Sequence, residues 1–222
     1  MTFTRFASFG LACLVVVGCT TGAATSPSAA SASASTAPAG GTCPTAQPPA
    51  LAAGESRTVT LTTDKGTIEI KIEAKLSPIA AGNFVALASC GFYDGVVFHR
   101  VVPSFVIQGG DGQYGKAASL DRAQMGRGGP GYTIQDEPVT TSYKRGTVAM
   151  ARSSQPNSVG SQFFIVLADS ASDALADPRY NNYQIIGSVT AGMDAVDAIA
   201  AAADAENPTN PVAITKATVA NP

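Results

Sequence analysis

From Arg57 to its end the chain is cut into short runs of alternating apolar and polar residues, punctuated by glycine and proline, and only two stretches carry helical spacing. Thr58-Val59-Thr60-Leu61 and Thr67-Ile68-Glu69-Ile70-Lys71-Ile72 alternate with period two around Asp64-Lys65-Gly66, which predicts a β-hairpin. Further β-like runs cover Val96–Val101, Phe105–Gln108, Thr147–Met150, Phe163–Leu167 and Ile185–Val189, and Val212–Val219 reads as a closing strand. Ser77-Pro78 opens the first helical stretch, with Ile79, Phe84, Leu87 and Ala88 on one face. A serine cap followed by proline at the first helical position is a start signal. The second helical stretch is alanine-rich, Met193–Ala203. Many short strands with two helices predict a mainly β fold, a closed antiparallel barrel rather than a parallel sheet.

The first 56 residues read differently. Arg5 is the one charged side chain before Glu55, and it precedes a short apolar run from Phe6 to Gly18. That run is too short to span a bilayer and fits a signal peptide over residues 1–18. Its ending, Val16-Val17-Gly18-Cys19, resembles the bacterial lipobox, and this resemblance implies a diacylglyceryl group on Cys19. The implied location is a cell membrane, lipid-anchored and facing outside the cytoplasm. Residues 19–56 are dominated by Ala, Ser, Thr, Pro and Gly, a composition that cannot offset the entropy of ordering, and read as a disordered tether. As a flexible coil it reaches about 30–35 Å. The folded domain is then 57–222.

Composition excludes several classes. The net charge is −2, with no basic stripe of the kind nucleic-acid binding requires. His99 is the single histidine, and the four cysteines form no CxxC pair, so no metal site is expected. Gly110 to Lys116 has the spacing of a phosphate-binding loop, but Ala117 stands where the magnesium-ligating hydroxyl belongs, so these glycines read as turn residues. His99 has no nucleophile signature beside it and reads as a structural hydrogen-bonding residue. Cys43 and Cys90 are left after export and lipidation. They either pair in an oxidising compartment, or Cys90 is a buried small hydrophobe and Cys43 lies free.

Three segments carry chemistry: Phe98-His-Arg-Val-Val-Pro-Ser-Phe-Val-Ile-Gln-Gly-Gly-Asp111, Gly128-Gly-Pro-Gly-Tyr132 followed by Asp136-Glu137, and Met150-Ala-Arg-Ser-Ser-Gln-Pro-Asn-Ser-Val-Gly-Ser-Gln-Phe-Phe-Ile165. Together they resemble the bacterial form of the cyclophilin-type peptidyl-prolyl cis/trans isomerases, from about Val59 to Val219. The resemblance implies an eight-stranded barrel capped by two helices, with a groove on its outer face. It implies that Arg100 is the catalytic arginine. Phe105, Val106 and Phe164 would form the proline pocket, with Val106 in place of the more usual Met. Gln108 and Gln162 would orient the substrate backbone and the arginine, with Gln108 counted as catalytic. Ala151 and Arg152 would form the rim, and Tyr183 takes the place of a histidine common in eukaryotic members. The chain has no Trp, which family members that bind cyclosporin tightly usually carry at the groove edge, so weak cyclosporin binding is implied.

Read from the residues alone, the pattern agrees with this in part. In a strand from Ser161 to Leu167, Gln162 and Phe164 face one side while Phe163 and Ile165 face the other. An arginine in so apolar a stretch as Phe98–Val101 needs a polar partner, and Gln108 offers a carbonyl acceptor. Isomerisation of an X–Pro bond breaks amide resonance over a barrier of about 20 kcal/mol, but makes and breaks no covalent bond. A ring anchor and a fixed cation suffice, and no cofactor or metal is called for. The partners are Pro-containing unfolded or flexible exported polypeptides, with the membrane reached through the lipid anchor and the protein a monomer. The alternative is a chaperone or adaptor module that holds Pro segments with incidental catalysis. A third reading is a structural envelope protein without peptide affinity. Arg100, Gln108 and Gln162 together favour the enzyme, because binding alone does not need them.

Overall fold

The computed structural model describes residues 41–177 and 182–220. The expected signal peptide, the expected lipid site Cys19, the expected tether as far as residue 40, and residues 178–181 lie outside the described residues. The eight strands are β1 (Ser56–Thr63), β2 (Gly66–Glu73), β3 (Phe98–Val102), β4 (Val106–Gly109), β5 (Thr147–Met150), β6 (Phe163–Val166), β7 (Ile185–Ala191) and β8 (Ile214–Ala220). The helices are α1 (Pro78–Ser89), α2 (Ser172–Ala176) and α3 (Met193–Ala201). The strands form one antiparallel sheet in the order β3-β4-β6-β5-β7-β2-β1-β8.

This corrects the closed barrel with two capping helices. The sheet is an open, curled half-barrel, and three helices cap it. Its end strands β3 and β8 share no ladder. They approach through an isolated bridge, Val97 to Ala213, and through Phe98 N–H donating to the Val212 carbonyl at 2.9 Å. Proline supplies no N–H, so Pro208 and Pro211, just ahead of β8, lend no donors to a continuous ladder on that approach. The third helix, α2, is five residues long.

The hairpin follows its pattern. Val59 and Leu61 of β1 and Ile68, Ile70 and Ile72 of β2 are fully buried, alternating with half-buried or exposed neighbours. Thr63 closes the turn by donating its hydroxyl to the Gly66 carbonyl at 2.8 Å and accepting from Lys65 N–H at 3.1 Å. Inside the curl, the Phe163 ring meets Phe84, Tyr93 and Phe98 edge-on at centroid distances of 5.1, 5.6 and 6.0 Å.

Helix α1 starts where Pro78 predicts, but its cap differs from the expected one. The Ser77 hydroxyl makes no cap bond. Instead the Glu137 carboxylate accepts from Ile79 N–H and Ala80 N–H, both at 2.9 Å. A carboxylate on the first-turn donors satisfies groups the helix cannot and complements its dipole.

Residues 41–55, which composition groups with the tether, run against the folded body. Leu51 packs on the core and donates its N–H to the Pro78 carbonyl at 3.0 Å. Cys43 is joined to Cys90, just past the end of α1, with Cα atoms 5.1 Å apart. Among the described residues no helix is long and apolar enough to cross a membrane.

Candidate active site

Strand register assembles the site. Arg100 on β3 stands opposite Gln108 on β4, and Gln108 stands opposite Phe164 on β6. Directly paired residues project to the same face. Arg100, Gln108 and Phe164 therefore form one row on the outer surface of the sheet, as the parity of β6 requires. Phe163 and Ile165 sit in the inner core, while Phe164 joins an outer cluster with Val106, Val166, Leu175 and Ile185. Phe105 and Tyr183 pack at the edge of that cluster, the Tyr183 ring edge-on to Phe164 at 5.4 Å.

Above this row lies a concave cavity of about 400 Å³, lined by Arg100, Phe105, Val106, Gln108, Phe164 and Tyr183 among others. Leu175 and Ala174 of α2 form part of its wall. Sequence reasoning missed them, because a five-residue helix is too short to show a period. Gln108, Ala151 and Arg152 are shared with a second, more polar cavity of about 700 Å³ that extends past Gln162 towards Arg127 and Tyr132. The two make a continuous groove, apolar at one end and polar at the other.

The polar side chains are arranged by a directional network. Gln108 Nε2 donates to Gln162 Oε1 at 3.0 Å, and Gln162 Nε2 donates to the carbonyls of Gly126 at 2.9 Å and Gly128 at 2.8 Å. The same glycine loop is held from its N–H side by Asp111, which is fully buried. Asp111 Oδ2 accepts from Gly126 N–H at 2.7 Å and Gly128 N–H at 3.1 Å, and Oδ1 accepts from Gln113 and Tyr114 N–H. A Cβ at Gly128 would run into the Asp111 carboxylate, so only glycine fits there.

One expected partnership changes, and one rim side chain turns away from the groove. Gln108 is not the partner of Arg100: among the described residues the arginine's side-chain hydrogen bond runs from Nε to Glu206 Oε1 at 2.7 Å. Nothing local in the sequence marks Glu206, which lies 106 residues from Arg100 in the loop before β8. Arg152 lines both cavities, yet its guanidinium is turned into its own loop. It pairs with Asp136 at 3.0 Å and donates to the carbonyls of Ser153 and Gln155, leaving the side chain 6% exposed.

His99 is buried beside this network, and neither ring nitrogen meets a partner in ordinary hydrogen-bond geometry. Its contacts are looser, to the Val97 main chain and the Gln162 side chain, in keeping with the structural role expected of it. Burial is the largest influence on the imidazole and holds its pKa below the usual value, with the Asp111 carboxylate opposing. Lys116, at the end of the loop that resembles a phosphate site, donates to the carbonyls of Phe92 and Asp94, both at 2.6 Å. The described residues contain no His, Cys, Asp and Glu cluster that could hold a metal ion.

Comparison with known proteins agrees with this geometry. The family profile for "Cyclophilin type peptidyl-prolyl cis-trans isomerase/CLD" matches residues 58–219. A probable peptidyl-prolyl cis-trans isomerase of Brucella abortus (strain 2308) is 41% identical over 177 residues, covering 77% of this chain and 86% of that one. Peptidyl-prolyl cis-trans isomerase A of Dickeya dadantii is 39% identical over 157 residues, 70% of this chain and 77% of that one. Among solved structures, a cyclophilin-type isomerase of Cryptosporidium parvum superposes with a TM-score of 0.62 at 27% identity, covering 76% of this chain and all of that one. The chain thus belongs to the cyclophilin-type peptidyl-prolyl cis/trans isomerases and is an enzyme of that kind, acting on proline-containing peptides.

Proposed function

We propose that this isomerase speeds the folding of exported proteins at the outer side of a cell membrane, to which a lipid on Cys19 holds it. The observation that carries the catalytic part is the row Arg100, Gln108, Phe164 along the wall of an apolar cavity. Phe105, Val106 and Phe164 anchor the proline ring. A related isomerase of Cryptosporidium parvum has been solved in the presence of the dipeptide Ala-Pro, which supports a cavity of this kind as a proline site.

With the ring anchored, the peptide bond before it lies along the row. In the twisted state the proline nitrogen gains lone-pair character and the carbonyl loses its resonance partner. A guanidinium fixed at that position stabilises the twisted amide more than either planar form, and only that difference accelerates the reaction. Gln108 turns its side-chain carbonyl to the substrate backbone, and Gln162, whose two amide N–H groups are taken by the carbonyls of Gly126 and Gly128, holds Gln108 in place. Ala151, on the rim, offers its main-chain carbonyl to the peptide, its N–H being donated to the Gln162 carbonyl at 2.8 Å, and Arg152 contributes its backbone and stem because its charge is engaged elsewhere.

Slow X–Pro isomerisation limits the folding of many chains, which gives such a catalyst a task where polypeptides emerge. The Val16-Val17-Gly18-Cys19 ending supports the anchor. Detergent partitioning and mass spectrometry of the native protein against Cys19→Ser test the location. A lipid-bearing wild type in the detergent phase and an aqueous variant are the expected result; two aqueous proteins overturn the anchor. Refolding of a proline-limited exported protein, with and without catalytic amounts of the enzyme, tests the role. An unchanged slow phase overturns it.

A further inference from the structure

We propose that Glu206 is a positioning residue for Arg100, setting the guanidinium plane from which the arginine acts; this rests on the catalytic reading of Arg100 given above. Two bonds tie Glu206 to β3. Its main-chain carbonyl accepts from Val101 N–H at 2.7 Å, and its Oε1 accepts from Arg100 Nε at 2.7 Å. The first bond fixes where the residue sits, and the second uses that fixed point to hold the arginine. With Nε engaged, the Nη groups are the ones available to the cavity that Arg100 lines.

The loop carrying Glu206 is itself anchored. Arg122 donates to the carbonyls of Pro208 and Thr209, and Thr209 N–H donates to Asp204 Oδ1 at 2.8 Å. A carboxylate on a free-swinging loop would orient nothing, because its own disorder would replace that of the arginine. Here the carboxylate is on a braced segment, so the rotamer freedom it removes from Arg100 is removed in the resting enzyme, before substrate arrives.

A carboxylate on the catalytic cation could also weaken it. The exposures decide between the two effects. The Arg100 side chain is 35% exposed and that of Glu206 is 57% exposed, so water screens the charge of the pair. Orientation is not screened in this way. The net action is therefore to assist catalysis.

The test is kcat/KM for isomerisation of an Ala-Pro peptide by the full chain and its variants Glu206→Ala, Glu206→Gln, Arg100→Ala and Arg100→Ala with Glu206→Ala, each shown by a thermal melt to be folded. Glu206→Ala should lower kcat/KM about threefold to fivefold. Glu206→Gln should recover at least half of that loss, since its amide oxygen can accept from Nε. In the Arg100→Ala background, Glu206→Ala should change nothing. An unchanged or faster Glu206→Ala enzyme, a Gln variant as impaired as Ala, or the same loss in the Arg100→Ala background overturns the proposal. Wild-type activity in Arg100→Ala alone is a separate outcome, which takes down the reading of Arg100 and this proposal with it.

Discussion

Gln108 donates its side-chain amide to Gln162 at 3.0 Å, and Gln162 passes the polarity on by donating to Gly126 and Gly128. The direction of this chain depends on position 162 having an acceptor on one side and a donor on the other. A carboxylate there would face two carbonyl oxygens and leave both without a donor.

Gln162→Glu should therefore loosen the glycine loop and lower kcat/KM at least tenfold at neutral pH. The destabilisation should be about 1–3 kcal/mol, the cost of leaving the Gly128 carbonyl unsatisfied, since Gly126 is exposed and water can replace its donor. Because a protonated carboxyl can donate again, the ratio of variant to wild-type activity should rise as the pH falls below about 5. A ratio independent of pH would show that the network does not work through donation from residue 162.

Glu137 should matter to α1 and Ser77 should not. Glu137→Ala removes the acceptor for Ile79 and Ala80 N–H, and a lost cap costs about 1–2 kcal/mol, or roughly 2–8 °C in Tm for a domain of this size. Ser77→Ala removes a buried hydroxyl that has no partner, and its effect on Tm should be within about 2 °C or stabilising. Equal losses from the two variants would contradict the assignment of the cap.

What local pattern encodes and what it leaves out separate cleanly in this chain. The β1–β2 hairpin, the extent of Thr147–Met150 and the two faces of β6 are all legible, since each depends on residues within a few positions of one another. So are the segments bearing Arg100 and Gln162. The closed barrel fails for a different reason. Closure is decided by β3 meeting β8, strands separated by nearly the whole domain, and the prolines before β8 carry that information only once the approach is known. The Glu137 cap and the Glu206 partner are of the same kind, lying 58 and 106 residues from the groups they bind. Ser77 and Gln108 were the nearest suitable groups, and a neighbour in sequence is not always the partner in space.

The Cys43–Cys90 bond closes a loop of 47 residues, for which chain entropy suggests about 4 kcal/mol, less where the reduced chain keeps structure. Reduction should lower Tm and make residues 41–55 sensitive to proteases while leaving the groove intact. Gly82→Ala should have the same two effects with the disulfide intact, because its Cβ would run into the Pro49 carbonyl oxygen and lift that segment, with Leu51, from α1. If residues 41–55 stay protease-resistant in both, their packing does not depend on these two points.

His99 should make stability depend on acid. Burial depresses its folded-state pKa below the unfolded value of about 6.5, so the folded state takes up a proton less readily than the unfolded one. Its contribution is complete above about pH 6.5 and is lost as pH falls through the depressed folded-state pKa. His99→Gln should flatten this acid limb of Tm against pH while shifting the neutral value as well. An acid limb unaltered by His99→Gln would assign it to the carboxylates instead.

Arg100→Ala should reduce kcat/KM by tenfold to a hundredfold, about 1.4–2.7 kcal/mol of transition-state stabilisation. The affinity for a proline peptide should fall much less, because Phe105, Val106 and Phe164 still line the cavity. Arg100→Lys should recover little. An ammonium is a point charge on a flexible stem, and it cannot hold Glu206 from Nε while presenting a planar edge to the amide. The comparison is valid only between folded proteins, so melts near wild type come first. With those in hand, a protease-free isomerisation assay separates the two possible mechanisms. A large loss in rate with affinity preserved places the cation in the transition state. Wild-type turnover in Arg100→Ala would mean that ring anchoring and desolvation carry the reaction without it.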